Sequence, residues 1–166
     1  RLLLKTRAFA DTGAQERYRA QFNKAGIAAE RVELREPADT IGKHLVAYGE
    51  IDIALDTFPY NGTTTTCEAL WMGVPVITLA GQLHAGRVGV SLLTQVQRSE
   101  WIAKTPKDFI ERTVILALDL QKSSTPRQAL RDAMANSALC NVSEFARTVE
   151  QAYRDMWANW CTKRIV

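Results

Sequence analysis

Four consecutive threonines, Thr63 to Thr66, follow Asn61 and Gly62 and precede Glu68, just after an apolar run that ends near Asp56. Pro59 and Gly62 make a turn there, and the threonines supply hydroxyls together with the unpaired backbone N–H groups of a helix start. A helix start carries a partial positive charge and outward donors, so the chemistry it favours is phosphate binding. In open parallel sheets ligands sit at the carboxyl ends of strands, which is where this turn falls. Glu68, about one helical turn further on, is placed to accept hydrogen bonds from a ribose diol. A plainer alternative uses the same residues. Thr65-x-x-Glu68 fits the capping box, in which the glutamate closes its own helix, and capping boxes are far commoner than nucleotide sites. The surplus hydroxyls favour a ligand, because β-branched residues are mediocre helix formers and a cap needs only one of them.

The elements that must hold this turn follow a β-α-β-α rhythm. Short apolar segments at Leu2 to Thr6, Arg31 to Leu34, Ile51 to Asp56 and Pro75 to Ala80 read as strands, each followed by a helical pattern. Asp11 is set to cap a helix running to about Ala25, with Gly26 just past its end. Further helices are expected near Thr40 to Tyr48 and from about Thr64 to Met72. Connections of ten or more residues between strands imply parallel pairing through right-handed crossovers, hence a three-layer α/β sheet. Beyond Ala80 a short strand at Glu100 to Ile102 is the last strand signal. Thr105, Pro106 and Asp108 start a helix to about Gln121. Ser124, Thr125 and Pro126 start another. A final helix, about Val142 to Trp160, carries Phe145, Val149, Ala152, Tyr153, Met156, Trp157 and Trp160 as one apolar stripe, which needs a partner surface. No repeat or linker marks a boundary, so residues 1–166 read as one domain.

Size and composition agree with an ordinary globular domain. The chain has 166 residues, 46% hydrophobic and 23% charged, and a chain of this length can hide roughly 70% of the surface it exposes when unfolded. Its 21 basic and 18 acidic residues are dispersed, giving a formal charge of +3 that points to neither nucleic acid nor an anionic membrane. The longest apolar stretch, Leu70 to Ala80, is broken by Gly73, Pro75 and Thr78, so no membrane span is expected. Cys67, Cys140 and Cys161 are odd in number and far apart, which suggests neither a disulfide framework nor a metal site and fits reduced thiols in the cytoplasm. Because the first residue is Arg1, the chain is expected to be a fragment.

The segments LDTFPYNGTTT at Leu55 to Thr65, EALWMGVPV at Glu68 to Val76 and RVGVSLL at Arg87 to Leu93 together resemble the nucleotide-binding signature of the O-linked N-acetylglucosamine transferase family, especially its bacterial tetratricopeptide-linked members. The likeness extends through Ser137 to Cys140 and on to Met156 and Trp157. It implies that residues 1–166 are a single Rossmann-like nucleotide-sugar-binding domain, the C-terminal, donor-binding half of a GT-B glycosyltransferase without its first strand and N-terminal half, with inversion at the anomeric carbon, no metal or other cofactor, and UDP-N-acetylglucosamine or a related nucleotide sugar as donor. Carried over by position, Thr63, Thr64 and Thr65 contact the diphosphate, Glu68 the ribose and His44 the nucleoside. Leu4 packs near the base, and backbone groups around Ala38 and Asp39 read its edge. Asn61, Gly62, His84 and Arg87 are candidates to line the same cleft, the last two equally at home in structural roles. His44 taken alone is an ordinary surface histidine. The resemblance also implies that the lysine steadying the leaving diphosphate, the acceptor-binding half and the tetratricopeptide repeats that engage the acceptor protein lie upstream of this chain. With its C-terminal helix crossing to that half, Trp157 and Trp160 should be partly exposed here or covered by another copy.

Departures from the family pattern leave the donor open. Thr63 stands where animal enzymes have histidine, Ile41 where they have lysine and Ala47 where they have arginine, and related plant fucosyltransferases use a GDP-sugar. Two other classes compete. Leu55 to Pro59 superficially matches the phosphoacceptor turn of receiver domains, with Asp56 as acceptor and Thr78 as switch hydroxyl, but Leu4 to Arg7 lack the acidic pair that its Mg²⁺ needs. A non-catalytic nucleotide-sensing or scaffold module is the other.

Overall fold

A computed structural model describes residues 1–122 and 127–163. These fall into two compact units, Arg1–Ala47 and Tyr48–Val166 in bounds, where the sequence showed no boundary.

In the first unit, β1 (Leu2–Lys5) pairs in parallel with β2 (Val32–Arg35), Leu4 opposite Leu34. The crossover between them is α1 (Thr12–Lys24), capped as expected by Asp11, whose carboxylate accepts the Ala14 N–H at 3.0 Å. Its end is set by Gly26, which adopts φ +77°, a left-handed conformation that costs glycine nothing. Phe9, in the 3₁₀ turn after β1, is buried and meets Tyr18 of α1 edge-on, with ring centroids 5.2 Å apart. A short α2 (Ile41–Val46) follows, capped by Thr40, and a 3₁₀ turn at Ala47–Glu50 ends the helical stretch expected to reach Tyr48.

The second unit is built on β3 (Ala54–Leu55), β4 (Val76–Leu79) and β5 (Ile102–Ala103), parallel and in that order. Every residue of β4 is buried, as a central parallel strand covered on both faces requires. The strand expected over Ile51 to Asp56 is cut to two residues. With Ala54 opposite Val76, the first residue of β4, the residues before Ala54 have no partner strand to pair with; there the Arg127 guanidinium donates to the Tyr48 and Ile51 carbonyls at 2.9 and 2.7 Å. Glu100 likewise belongs to a 3₁₀ turn, Ser99–Trp101, and the strand begins only at Ile102.

The helices of this unit are α3 (Thr64–Trp71), α4 (Val88–Gln95), α5 (Pro106–Lys122), α6 (Arg127–Ala135) and α7 (Val142–Lys163). At the start of α5, Thr105 Oγ1 accepts the Asp108 N–H while Asp108 accepts the Lys104 N–H, a reciprocal cap. The helix start expected at Ser124 to Pro126 lies outside the described residues. α3 packs against α6 and β4, with Leu70, Val74, Ile77, Leu93 and Leu130 among the fully buried side chains. Gly73, at φ +72°, lets the chain turn from α3 to β4 where an added Cβ would stand 2.4 Å from the Arg127 carbonyl oxygen. On α7, Trp157 and Trp160 stack on each other and remain 64% and 47% exposed, the partial exposure expected from the sequence. Cys67, Cys140 and Cys161 are free thiols. Among the described residues no helix is long and apolar enough to cross a membrane.

Candidate functional site

The turn between β3 and α3 is tied to the sheet by one carboxylate. Asp56, 8% exposed, accepts the Gly62 amide on Oδ1 and the Thr78 hydroxyl on Oδ2, each at 2.7 Å. Burial raises its pKa above the ordinary carboxylate value, opposed by the hydrogen bonds from Gly62, Thr78 and Thr57. Both oxygens of Asp56 therefore face donors inside the fold, an anchor's geometry rather than that of an exposed phosphoacceptor. The Phe58–Pro59 peptide bond within this turn is cis.

Asn61 is a second staple. It is 1% exposed; its amide nitrogen donates to the Thr57 carbonyl at 3.1 Å, and its carbonyl oxygen accepts the Gly89 amide at 3.3 Å. Its own backbone N–H reaches the Ala85 carbonyl at 2.8 Å. The loop before α4 is thus fixed against the loop before α3. Gly89 is required by this contact, since a Cβ there would lie 2.4 Å from Thr78 Oγ1 and 2.5 Å from Asp56 Oδ2. His84 and Arg87 both stand exposed on the 81–87 loop, with Arg87 donating to the Gly81 carbonyl at 3.2 Å.

The four threonines divide by role. Thr66 is buried, and its hydroxyl donates to the Gly62 carbonyl at 2.9 Å. Thr63, Thr64 and Thr65 are exposed. Thr63 is the N-cap residue but makes no side-chain cap bond, so its hydroxyl is not consumed in closing the helix. Thr65 Oγ1 lies over Gly62, 2.4 Å from where a Cβ would be, so a side chain there would displace that hydroxyl. Three hydroxyls and the N–H groups of the first turn share one helix end, a surface suited to an anion.

The capping-box alternative is overturned by register. Because α3 begins at Thr64 with Thr63 at its cap, Thr65 is already inside the helix and Glu68 lies in its second turn. Glu68 Oε2 instead accepts the Tyr48 hydroxyl at 3.1 Å, and the same hydroxyl is 3.2 Å from the Thr65 carbonyl oxygen. Tyr48 is the residue the sequence did not disclose. It precedes its partners by 20 and 17 residues, with no motif linking them. Its burial and the neighbouring Glu68 raise its pKa well above the normal phenol value, so it is a hydrogen-bond donor under all ordinary conditions.

The remaining predicted residues, Leu4, Asp39 and His44, belong to the first unit. Leu4 is half-buried in β1. The next residue, Lys5, donates from Nζ to His44 Nδ1 at 2.6 Å, and an ammonium can only donate, so the ring must accept at that nitrogen. Asp39 is exposed and pairs with Lys43 at 2.9 Å, one turn along.

Parallel strands each followed by a helix, with an anion-suited helix start at a strand's carboxyl end, define the α/β Rossmann-like half of a GT-B glycosyltransferase. The chain belongs to glycosyl transferase family 41, whose model matches residues 3–149. It is 44% identical over 161 residues to the Arabidopsis thaliana protein named probable UDP-N-acetylglucosamine–peptide N-acetylglucosaminyltransferase SPINDLY, a match covering 97% of this chain and 18% of that protein. The protein of the same name from Solanum lycopersicum is 40% identical over 97% of this chain and 17% of its own length. Among solved structures, a mutant of Thermobaculum terrenum O-GlcNAc transferase superposes with a TM-score of 0.90 at 37% identity, covering 98% of this chain and 31% of that one. The chain therefore spans less than a fifth of the length of these curated relatives. Being from plants, they do not single out the bacterial branch expected from the sequence.

Proposed function

We propose that this chain is the donor-nucleotide half of an inverting protein O-glycosyltransferase, holding UDP-N-acetylglucosamine or a related nucleotide sugar such as a GDP-sugar. The observation that carries this is the start of α3: three exposed threonine hydroxyls and unpaired N–H groups at one helix end, with a carboxylate held one turn further on. Thr63, Thr64 and Thr65 take the diphosphate and Glu68 the ribose hydroxyls, while Asn61 and Gly62 shape the turn beneath them. In the first unit His44 serves the nucleoside, Leu4 the base and the backbone at Ala38 and Asp39 the base edge. The names of the relatives, which carry a UDP-N-acetylglucosamine donor and a peptide acceptor, support the substrate classes.

In the whole enzyme a serine or threonine hydroxyl of the acceptor protein attacks the anomeric carbon. The new C–O bond forms as the bond to the diphosphate breaks, the hydroxyl proton is released to solvent, and the helix end stabilises the negative charge that develops on the leaving group. Such electrostatic stabilisation asks for no metal. The acceptor site, its tetratricopeptide repeats and the lysine that steadies the diphosphate belong to chain upstream, in a cytoplasmic protein of the tetratricopeptide-linked bacterial type. The isolated chain should accordingly bind nucleotide weakly and transfer nothing. Calorimetric titration with UDP, GDP and UDP-N-acetylglucosamine tests the binding; a folded chain that saturates with none of them refutes it. Transfer of a labelled donor by the full-length protein, lost in Glu68→Ala and Thr64→Ala, separates an enzyme from a nucleotide-sensing scaffold.

A further inference from the structure

We infer that Tyr48 is a positioning residue for the nucleotide: its phenol orients the Glu68 carboxylate toward the ribose diol before any ligand arrives. The inference deepens the assignment of Glu68 to the ribose and rests on it. Tyr48 is 7% exposed, and its hydroxyl has one proton for two acceptors, Glu68 Oε2 at 3.1 Å and the Thr65 carbonyl at 3.2 Å. An ionised carboxylate is the stronger acceptor.

Burial alone does not explain this arrangement. The phenol's need for a partner is met by the Thr65 carbonyl, and Glu68, only half-buried, has water as an alternative. What the second contact adds is orientation. A glutamate side chain has three rotatable bonds, and restricting them in advance lowers the ordering cost when a ligand binds. With about four acceptor positions on a carboxylate, a bond from Tyr48 orients Glu68 without exhausting it.

The scaffold behind Tyr48 is also fixed. Arg127, the first described residue of α6, clamps the Tyr48 and Ile51 carbonyls at 2.9 and 2.7 Å, and α6 packs on α3, which carries Glu68. The turn that carries the donor is therefore tied to the packed helix pair that carries the acceptor. The chain's other candidates for a ribose contact at this helix are threonines, which cannot offer two oxygens to a diol.

The test uses the full-length protein and measures dissociation constants for UDP and GDP and for their 2′,3′-dideoxy forms, in wild type, Tyr48→Phe, Glu68→Ala and the double variant. Tyr48→Phe removes one oxygen and keeps the ring. For the base that binds, wild type should hold the dideoxy form about tenfold more weakly than the ribose form. Tyr48→Phe should lose about fivefold on the ribose form and almost nothing on the dideoxy form, and should add no further loss to Glu68→Ala. Equal weakening of both forms by Tyr48→Phe, or a loss that adds in full to that of Glu68→Ala, overturns the role of Tyr48 alone. A wild-type protein that fails to distinguish ribose from dideoxyribose overturns the assignment of Glu68, and the role of Tyr48 with it.

Discussion

The hydroxyl of Thr78, wholly buried in β4, donates to Asp56 Oδ2 at 2.7 Å. Since Asp56 Oδ1 takes the Gly62 amide at the same distance, the central strand and the turn that starts α3 are joined through a single side chain. Charge is expensive at such a site unless donors face it, and two do. The position of the threonine-bearing helix end is thus set from beneath by a group whose two oxygens are both engaged inside the fold.

Removing that carboxylate strands two buried donors. Asp56→Ala is expected to cost about 3 kcal/mol, the sum of two unsatisfied polar groups, read as a lower midpoint in urea denaturation. Asp56→Asn exposes the pH dependence. Burial holds the folded pKa above the unfolded one, so the contribution of this group to stability is complete below the unfolded pKa and is lost as pH rises through the folded value. The stability advantage of wild type over Asp56→Asn should therefore shrink as pH rises past the ordinary carboxylate value toward the raised folded one. A constant difference across that range contradicts the account.

The two glycines beside Asp56 should respond differently to alanine. At Gly89 a Cβ meets Thr78 Oγ1 at 2.4 Å and Asp56 Oδ2 at 2.5 Å, both already fixed by their mutual bond. Gly89→Ala should destabilise by about 1–3 kcal/mol, as overpacking does. At Gly62 the nearest atom is the hydroxyl of exposed Thr65, 2.4 Å away, which can rotate aside. Gly62→Ala should cost less stability and more nucleotide affinity, and paired melting and titration curves would show that split.

Thr64 and Glu68 are assigned to different parts of the ligand, so their variants should discriminate between ligands. Thr64→Val, at an exposed position, should leave the melting temperature unchanged and weaken both nucleoside diphosphate and inorganic pyrophosphate about fivefold. Glu68→Ala should weaken the nucleoside diphosphate alone. Identical profiles for the two variants would show that the helix end does not sort phosphate from ribose.

The contact between Lys5 and His44 has a spectroscopic consequence. With Lys5 Nζ donating to Nδ1 at 2.6 Å, neutral His44 carries its proton on Nε2. Nitrogen-15 shifts of the ring should report the Nε2–H tautomer in wild type and a mixture in Lys5→Met. An Nδ1–H tautomer in wild type would contradict the contact.

The sequence by itself determined what local rules encode. Asp11 and Gly26 bounded α1, Thr105, Pro106 and Asp108 opened α5, and apolar runs marked the strands, because capping and periodicity act over a few residues. It also exposed the threonine-rich helix start and the family words around it. The helical pattern expected after Pro75 to Ala80 is α4, whose start at Val88 no side-chain cap bond marks. Tertiary structure alone removed the capping box, by placing Thr65 inside α3 and setting Glu68 against the Tyr48 hydroxyl. It also decided that Asn61 and Thr66 are staples inside the turn while Thr63, Thr64 and Thr65 are exposed, and that the Ile51 carbonyl is bound by Arg127. The partners concerned are far apart in the chain: Thr78 lies 22 residues from Asp56, Gly89 lies 28 from Asn61, and His44 lies 39 from Lys5. A polar group finds such a partner only when packing has fixed the separation and angle between two elements, and neither is written in the spacing of either element alone.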